Sequence, residues 1–319
     1  MHNDSFVEQH YVRHAKHFEN DLVDAERIRI SASWFDESTA DYWRHARAYE
    51  CADMLTHRPD ARWLTVGDGR WGLDSIRLRK KGFTSVLPTD ISEALLREAK
   101  SRGAIDGYAV ENAENLTFGD RSFDYVFCKE ALHHFPRPYR ALYEMLRVAR
   151  LGVFLIEPND TWEVDTPAPA TPSRSLLRRV QRRLSRMAET ARGARVQLRY
   201  SPPSWEDSGN YVFSISRREI EKIALGLNMP QIVLKGLNDH YVKGCEFEPA
   251  DENSSAIFRE LVAVIRDKDE LCRQGRADYN LIMAGLLLRP LDDRGRGKFV
   301  AAGWDVIDLP ANPYIARDY

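Results

Sequence analysis

The stretch W-L-T-V-G-D-G-R-W-G, residues 63–72, decides the fold of this chain. An apolar run from Trp63 to Val66 is followed by glycines at positions 67, 69 and 72, and a segment with helical composition comes next. Glycine has no Cβ, so the backbone can turn sharply off a strand and lie close to a ligand, while a helix N-terminus offers unpaired N–H groups. The spacing G-x-G-x-x-G is typical of a nucleotide-type cofactor site, although a tight turn without a ligand would also produce it.

A carboxylate follows at the distance that such sites require. Residues 84–90, T-S-V-L-P-T-D, predict a second strand that ends at Asp90. This position is about 20 residues after the glycines, where doubly wound folds hold ribose hydroxyls. A carboxylate that accepts both hydroxyl protons makes charge-assisted hydrogen bonds worth about 1.5–3 kcal/mol each. Asp90 is therefore the leading cofactor ligand; its other role, capping the next helix, is compatible with the first.

Two cofactors fit the glycine loop, a nicotinamide dinucleotide and S-adenosylmethionine. Asp68 lies between the glycines, where a carboxylate repels a pyrophosphate and attracts the amino group of a methionine moiety, although Arg70 weakens this argument. Tyr125 and Lys129 have the Tyr-x-x-x-Lys spacing of short-chain dehydrogenases. That pair works on one helix face, whereas here it is predicted to lie on a strand, which separates the two residues by about 13 Å. The sequence favours S-adenosylmethionine.

Three further segments reveal a family resemblance. They are G-Y-A-V-E-N-A-E-N-L-T-F at 107–118, R-S-F-D-Y-V-F-C-K-E-A-L-H-H-F at 121–135 and E-M-L-R-V-A-R-L-G-V-F-L-I-E-P at 144–158. With the glycine loop, they make the chain resemble the class I S-adenosylmethionine-dependent methyltransferases over roughly 63–160. The resemblance implies an α/β fold of the Rossmann-like kind, with a doubly wound, mostly parallel seven-stranded sheet, an antiparallel final strand and helical insertions.

The resemblance also implies which residues bind the cofactor. They are Gly67, Asp68, Gly69, Asp90, Ile91, Asn112, Ala113, Cys128 and Lys129. The two glycines would lie under the methionine moiety, and Cys128 and Lys129 would present backbone carbonyls to its amino group. Asn112 stands where the family usually has Asp, and its amide can accept as well as donate at the adenine edge.

One position departs from the family pattern. An acidic residue usually stands two positions before the first glycine, and this chain has Thr65 there. Asp68 is the candidate substitute for the missing acid. The departure also keeps open a protein that binds the cofactor without turnover and serves as an interaction module.

The acceptor side of the predicted site contains two histidines. His133 and His134 follow the fourth predicted strand, beside the expected position of the cofactor methyl. Imidazole titrates near neutral pH, so either residue is a candidate base for a hydroxyl acceptor, and loop architecture is their alternative role. We therefore predict methyl transfer, at oxygen, to a small molecule, a sugar or a lipid-linked acceptor. An NAD-dependent oxidoreductase is the remaining alternative.

Composition limits the class of protein. The chain has 319 residues, a net charge of −2 and 43% hydrophobic residues, which is ordinary for a soluble protein with a full core. The longest apolar run, Leu281 to Leu288, is too short to span a bilayer, and the N-terminus has no apolar signal stretch, so the predicted location is the cytoplasm.

The four cysteines show no metal-type spacing, which predicts reduced thiols and no metal site. The arginines form one cluster without interleaved aromatic residues, which argues against a nucleic-acid partner.

The composition changes along the chain predict five parts. They are an N-terminal helical arm, the cofactor-binding core, a Pro-rich linker with an Arg-rich insertion, the rest of the core with an inserted helix, and a tail, at 1–40, 41–160, 161–210, 211–290 and 291–319. Residues 174–199 hold nine arginines and one acid. This segment is a solvated helix on an acidic body, a lid for an anionic substrate, or a contact with anionic lipid. The aromatic tail either folds back on the body or meets a second subunit in a homodimer.

Overall fold

A computed structural model describes residues 2–20, 22–164, 198–200, 203–206 and 210–317. Within them, an eight-stranded sheet has the order β10-β8-β9-β5-β4-β1-β2-β3, and β6 and β7 form a separate antiparallel pair. The strands are β1 Arg62–Val66, β2 Ser85–Asp90, β3 Ala109–Val110, β4 Phe123–Lys129, β5 Ala149–Pro158, β6 Trp162–Val164, β7 Leu198–Tyr200, β8 Gln231–Leu237, β9 Leu281–Leu287 and β10 Asp305–Asp308.

Strand direction divides the sheet into two parts. Strands β1 to β5 run parallel to one another, whereas β9 is antiparallel to both of its neighbours, β5 and β8. The predicted α/β class and mostly parallel sheet are therefore confirmed, and the apolar run that begins at Leu281 forms the antiparallel strand β9. The order of the parallel strands reverses between β1 and β4, and in open α/β sheets ligands bind beyond the carboxyl ends of the strands at such a point.

The predicted number of seven strands is wrong, because β10 adds an eighth. It pairs antiparallel with β8 within the segment predicted as a tail. The residues D-V-I-D carry two acids in four positions and are followed by prolines, so their own pattern gives no strand signal. The strand forms because β8 would otherwise present an open edge of unpaired N–H and C=O groups. In this part of the chain, the tail folds back on the body.

Helices cover both faces of the sheet. Numbered among the described elements, they are α1 His2–Asn20, α2 Ala25–Ser33, α3 Ala40–Ala46, α4 Glu50–Met54, α5 Leu73–Lys80, α6 Ala94–Ser101, α7 Pro138–Val148, α8 Arg217–Gly226, α9 Ala256–Arg273 and α10 Asp293–Ala301, with 3-10 turns at Arg47–Tyr49, Leu132–His134 and Cys245–Phe247. The helical segment before β1 is divided into α3, a 3-10 turn and α4. A capping box begins α8: Ser216 and Glu219 each bond the other's backbone N–H. None of the described helices is long and apolar enough to cross a membrane.

The core consists of two apolar layers, one on each face of the sheet. Leu64 and Val126 face a layer that includes α7, whereas their neighbours Trp63 and Tyr125 face the layer that holds Phe154. Because successive side chains on a strand point to opposite faces, β1 and β4 are anchored on both sides. Their carboxyl ends are therefore held rigidly where the glycine loop and the histidines begin. The Arg-rich helix predicted within 174–199 falls outside the described residues, except where β7 begins at Leu198.

Candidate active site

A cavity of about 790 Å³ opens beyond the carboxyl ends of β1, β2 and β4. Its floor comes from the glycine loop and the ends of these strands, and its walls come from α1, the segment from α2 to Tyr49, α5 and the loops after β7 and β8. The residues that line it include His14, Trp34, Arg44, His45, Tyr49, Gly67, Asp68, Arg70, Asp74, Arg77, Asp90, Lys129, Glu130, His133, His134, Trp205, Glu206 and Tyr241. Six of the predicted site residues therefore line one cavity.

Two glycines bring the loop close to its neighbours. Gly67 has a φ of +76°, and a Cβ there would lie 2.3 Å from the Cβ of Ala131. A Cβ on Gly69 would lie 2.6 Å from the carboxylate of Asp90. Real Cβ atoms do not approach other atoms so closely, so both positions need glycine for space, and the first also needs it for its backbone angle. The loop and Asp90 consequently form one compact floor.

Asp90 ends β2 as a buried carboxylate. Its Oδ1 accepts a hydrogen bond of 2.7 Å from the backbone N–H of Ser92, which is the capping contact that the sequence suggested. Burial raises the pKa of Asp90 to about 6, against the opposing effect of the N–H groups of Ser92, Gly69 and Ile91. Because burial disfavours the ionised form of Asp90, one more hydrogen-bond donor, such as a ligand hydroxyl, would stabilise the carboxylate.

Asp68 points toward the start of α5. Its Oδ2 accepts hydrogen bonds from Thr65 Oγ1 at 2.7 Å and the N–H of Ser75 at 3.0 Å, and its Oδ1 accepts one from the N–H of Asp74 at 3.0 Å. Burial and the neighbouring Asp74 raise the pKa of Asp68 well above its usual range. Three protein donors already occupy the carboxylate, so its main contact is with the backbone of α5. The role predicted for it toward an amino group remains a prediction.

A narrow slot of about 30 Å³ adjoins the cavity beside β2 and β3. Its walls include Ile91, Asn112 and Ala113, three of the residues predicted to bind the cofactor. Asn112 Oδ1 accepts the N–H of Glu114 at 2.9 Å. The opposite wall is α1, through residues that include His10 and Tyr11. No sequence pattern marks this wall, because the first helix has only weak apolar periodicity.

The end of β4 places charged groups in the cavity wall. The Lys129 ammonium pairs with the Glu130 carboxylate and lies 3.5 Å from His45 Nδ1. Burial and the positive charges of Lys129 and Arg44 hold the pKa of His45 well below its usual value, so this imidazole is neutral at pH 7. Glu130 has a φ of +48°, a strained angle for a residue with a side chain. The thiol of Cys128 is fully buried and does not line the cavity.

His133 is held by a glutamate that is not among the predicted site residues. Its Nδ1 donates a hydrogen bond of 2.7 Å to Oε2 of Glu157, at the end of β5. Glu157 is completely buried, and its Oε1 also accepts the N–H groups of Ala131 and Leu132 at 3.0 and 2.9 Å. A single acid inside the apolar run F-L-I-E-P was the available signal, because a strand buried on both faces rarely carries a carboxylate without a partner.

His134 contacts a second glutamate. Its Nδ1 lies 2.7 Å from Oε2 of Glu206, and the ring centroids of His133 and His134 are 4.0 Å apart. Asn210 donates to the carbonyl of His133 at 3.3 Å. Glu206 follows the Pro-rich linker in sequence, where no local pattern connects it with the histidines. Only the folded chain brings the two predicted histidines and the two glutamates to one corner of the cavity.

Comparison with known proteins agrees with this arrangement. Residues 64–156 match the family model described as a methyltransferase domain. The chain is 35% identical over 125 residues to the phthiotriol/phenolphthiotriol dimycocerosates methyltransferase of Mycobacterium tuberculosis, which covers 36% of this chain and 46% of that protein. It is 32% identical over 139 residues to the 27-O-demethylrifamycin SV methyltransferase of Amycolatopsis mediterranei, covering 40% of this chain and 51% of that protein.

A solved structure from Thermotoga maritima, described as a SAM-dependent methyltransferase and possible histamine N-methyltransferase, has a TM-score of 0.39 and 17% identity over 85% of this chain and 97% of that chain. The chain spans about half the length of the curated relatives it matches.

Residues 64–156 are therefore a domain of the class I S-adenosylmethionine-dependent methyltransferase family. The family resemblance seen in the sequence is confirmed, and so is S-adenosylmethionine as the cofactor of this domain class. The matched segment begins in β1 and ends in β5, so it contains the glycine loop, Asp90, the slot at Asn112 and both histidines.

Proposed function

We propose that this protein is an enzyme that transfers a methyl group from S-adenosylmethionine to an oxygen atom of a small-molecule or lipid-like acceptor. The observation that carries the proposal is the contact between the glycine loop and Asp90. A loop without Cβ atoms lies directly beside a buried carboxylate whose pKa is raised, at the reversal of strand order in a methyltransferase domain. This is the arrangement that a nucleoside with two ribose hydroxyls requires.

The described residues suit the cofactor at both of its ends. Asp90 would accept the ribose hydroxyls, and Ile91, Asn112 and Ala113 would hold the adenine. The methionine end would lie in the cavity along the glycine loop at Gly67, together with backbone groups of Cys128 and Lys129. When bound, S-adenosylmethionine supplies an electrophilic methyl carbon, and its sulfur keeps the electron pair of the broken C–S bond.

His133 and His134 would act on the acceptor. Their imidazoles line the cavity, and Glu157 fixes the orientation of the first. The side chains in this corner would hold the accepting hydroxyl in line with the methyl carbon and assist the removal of its proton. Pre-orientation matters because a displaced nucleophile loses most of the advantage of being bound.

The cavity and the relatives support the proposed acceptor class. One matched relative is named for phthiotriol dimycocerosates and another for the 27-O position of a rifamycin. Both names favour a hydroxyl on a metabolite over a macromolecule. Aromatic side chains at the cavity, among them Trp34, Trp205 and Tyr241, would pack against an extended apolar acceptor. The sugar acceptor, a homodimer, a cytoplasmic location and membrane contact through 174–199 remain predictions.

Cofactor binding is tested by titration calorimetry and thermal unfolding with S-adenosylmethionine and S-adenosylhomocysteine. Both should raise the melting temperature, because a ligand that binds only the folded state stabilises it by mass action. Asp90→Ala should abolish most of that shift. A larger shift with NADH would refute the cofactor assignment.

Turnover is tested separately with cofactor labelled in its methyl group, incubated with cell extract or with purified metabolite fractions. Transfer of label to a small molecule by the wild type, and its loss in His133→Ala with normal S-adenosylhomocysteine affinity, would support catalysis. Tight cofactor binding with no labelled product from any fraction would favour the non-catalytic binding module that Thr65 keeps open.

A further inference from the structure

The corner of the cavity at His133, His134 and Glu206 contains a metal-type set of ligands. One ligand atom from each residue lies within 4.8 Å of the other two. His134 Nδ1 is 2.7 Å from Glu206 Oε2, and His133 Nε2 is 3.9 Å from Glu206 Oε1. Ligands at about 2.0–2.2 Å from one tetrahedral ion lie about 3.3–3.6 Å from each other, a separation between these two distances. Among the described residues, this is the one such group.

The ring of His133 presents the correct nitrogen to an ion. Its Nδ1 donates to Glu157, an acceptor-only carboxylate that is fixed by two backbone N–H groups. In the neutral imidazole the lone pair then resides on Nε2, which faces Glu206. A carboxylate behind a histidine is the usual support of a metal-binding imidazole, because it fixes the tautomer and makes the free nitrogen a better ligand.

Charge and coordination number agree with a divalent ion. Glu206 and the nearby Glu157 together offset two positive charges. Two imidazoles and one carboxylate suit Zn²⁺, Co²⁺, Fe²⁺ or Mn²⁺, and three protein ligands leave positions open. Because all three residues line the cavity, the open positions face the space assigned to the acceptor.

We propose that His133, His134 and Glu206 bind one divalent transition-metal ion. Its role, which rests on the proposed function, is to bind the accepting oxygen. A metal-bound hydroxyl loses its proton to water more readily, and the resulting oxygen lone pair forms the new bond to the methyl carbon. The acceptor would then be a molecule with a hydroxyl, or a hydroxyl beside a carbonyl, that can bind an ion through oxygen.

Metal binding is tested on the full chain without a histidine tag, after treatment with EDTA and dialysis. Zn²⁺ is titrated by calorimetry and Co²⁺ by visible absorption. We expect one ion per chain, with Zn²⁺ bound more tightly than Co²⁺. Glu206→Gln and His134→Gln should each weaken Zn²⁺ binding at least tenfold, with unchanged circular dichroism. His240→Gln, which changes a histidine outside the cavity lining, should bind Zn²⁺ like the wild type.

Two results would overturn the proposal: no stoichiometric binding of either ion, or equal Zn²⁺ affinity in the wild type, Glu206→Gln and His134→Gln. S-adenosylhomocysteine binding by the EDTA-treated protein keeps the two proposals apart. If it is normal while no ion binds, only the metal site is rejected. If it is absent while the ion binds, the proposed function fails and the metal site remains.

Discussion

Thr65 Oγ1 donates a hydrogen bond of 2.7 Å to Asp68 Oδ2, and neither side chain is exposed to solvent. The pair joins the end of β1 to the glycine loop, and the same carboxylate accepts two N–H groups at the start of α5. An acid within the loop thus connects strand, loop and helix, although the family usually has its acid at the position of Thr65. The acid that is missing at position 65 is therefore matched by Asp68, three residues later, which accepts the hydrogen bond from Thr65.

We expect Asp68→Asn to lower the free energy of unfolding by about 1–3 kcal/mol. The substituted amide would turn its N–H₂ toward the N–H of Ser75 or Asp74 and leave a buried donor unpaired. Urea unfolding followed by circular dichroism measures the change. Thr65→Ser keeps the hydroxyl and serves as the control. If Asp68→Asn were as stable as the wild type but failed to bind S-adenosylhomocysteine, the carboxylate would serve the cofactor and not the loop.

A methyl group at position 69 should disturb the cofactor site through Asp90. In Gly69→Ala the new Cβ would lie 2.6 Å from the Asp90 carboxylate. Relief of such overpacking costs about 1–3 kcal/mol, so the affinity for S-adenosylhomocysteine should fall about tenfold or more. Calorimetric titration measures this, and Gly107→Ala, where a Cβ would meet no atom within 4 Å, is the matched control. Equal affinities in the two variants would contradict the close contact.

The affinity for S-adenosylhomocysteine should depend on pH through Asp90. Burial raises its pKa to about 6 in the free protein, so the carboxyl group is ionised above that pH and increasingly neutral below it. Only the ionised group accepts both ribose hydroxyl protons, so the dissociation constant should rise, approaching tenfold per pH unit, as the pH falls below about 6.

The pH series is followed by calorimetry between pH 5 and 8, a range on both sides of the pKa of about 6. Asp90→Asn should bind more weakly and lose the inflection. A wild-type affinity that is constant across this range would exclude Asp90 as the titrating ligand.

The C-terminal strand should contribute to stability of the single chain. Trp304 is buried just before β10, and its ring meets Phe299 edge-on at a centroid distance of 5.2 Å. Trp304→Ala should cost about 3–5 kcal/mol, as expected for a large aromatic side chain removed from a core. Tyr314→Ala, which changes a ring that is 93% exposed, should leave the unfolding midpoint unchanged. The opposite ranking would mean that the tail is not anchored through Trp304.

Local chemistry made much of the cofactor half predictable. The strand at β1, the turn at Gly67 and Gly69, and the carboxylate at the end of β2 each follow from short-range patterns, because backbone angles and strand burial depend on neighbouring residues. The same holds for the capping box of α8. Where pairing partners are remote, prediction failed: β10 is a strand because β8 has an open edge, and not because its own four residues favour one.

By itself, therefore, the sequence determined the α/β class, the position of the glycine loop, Asp90 as the leading cofactor ligand and the two histidines as the candidates on the acceptor side. Only the tertiary structure decided what surrounds them. Glu157 reaches His133 from β5, Glu206 reaches His134 from beyond the linker, and α1 covers the slot at Asn112. These contacts join residues far apart in the chain, and they form because packing both faces of one sheet brings its loops together at the carboxyl ends of the parallel strands.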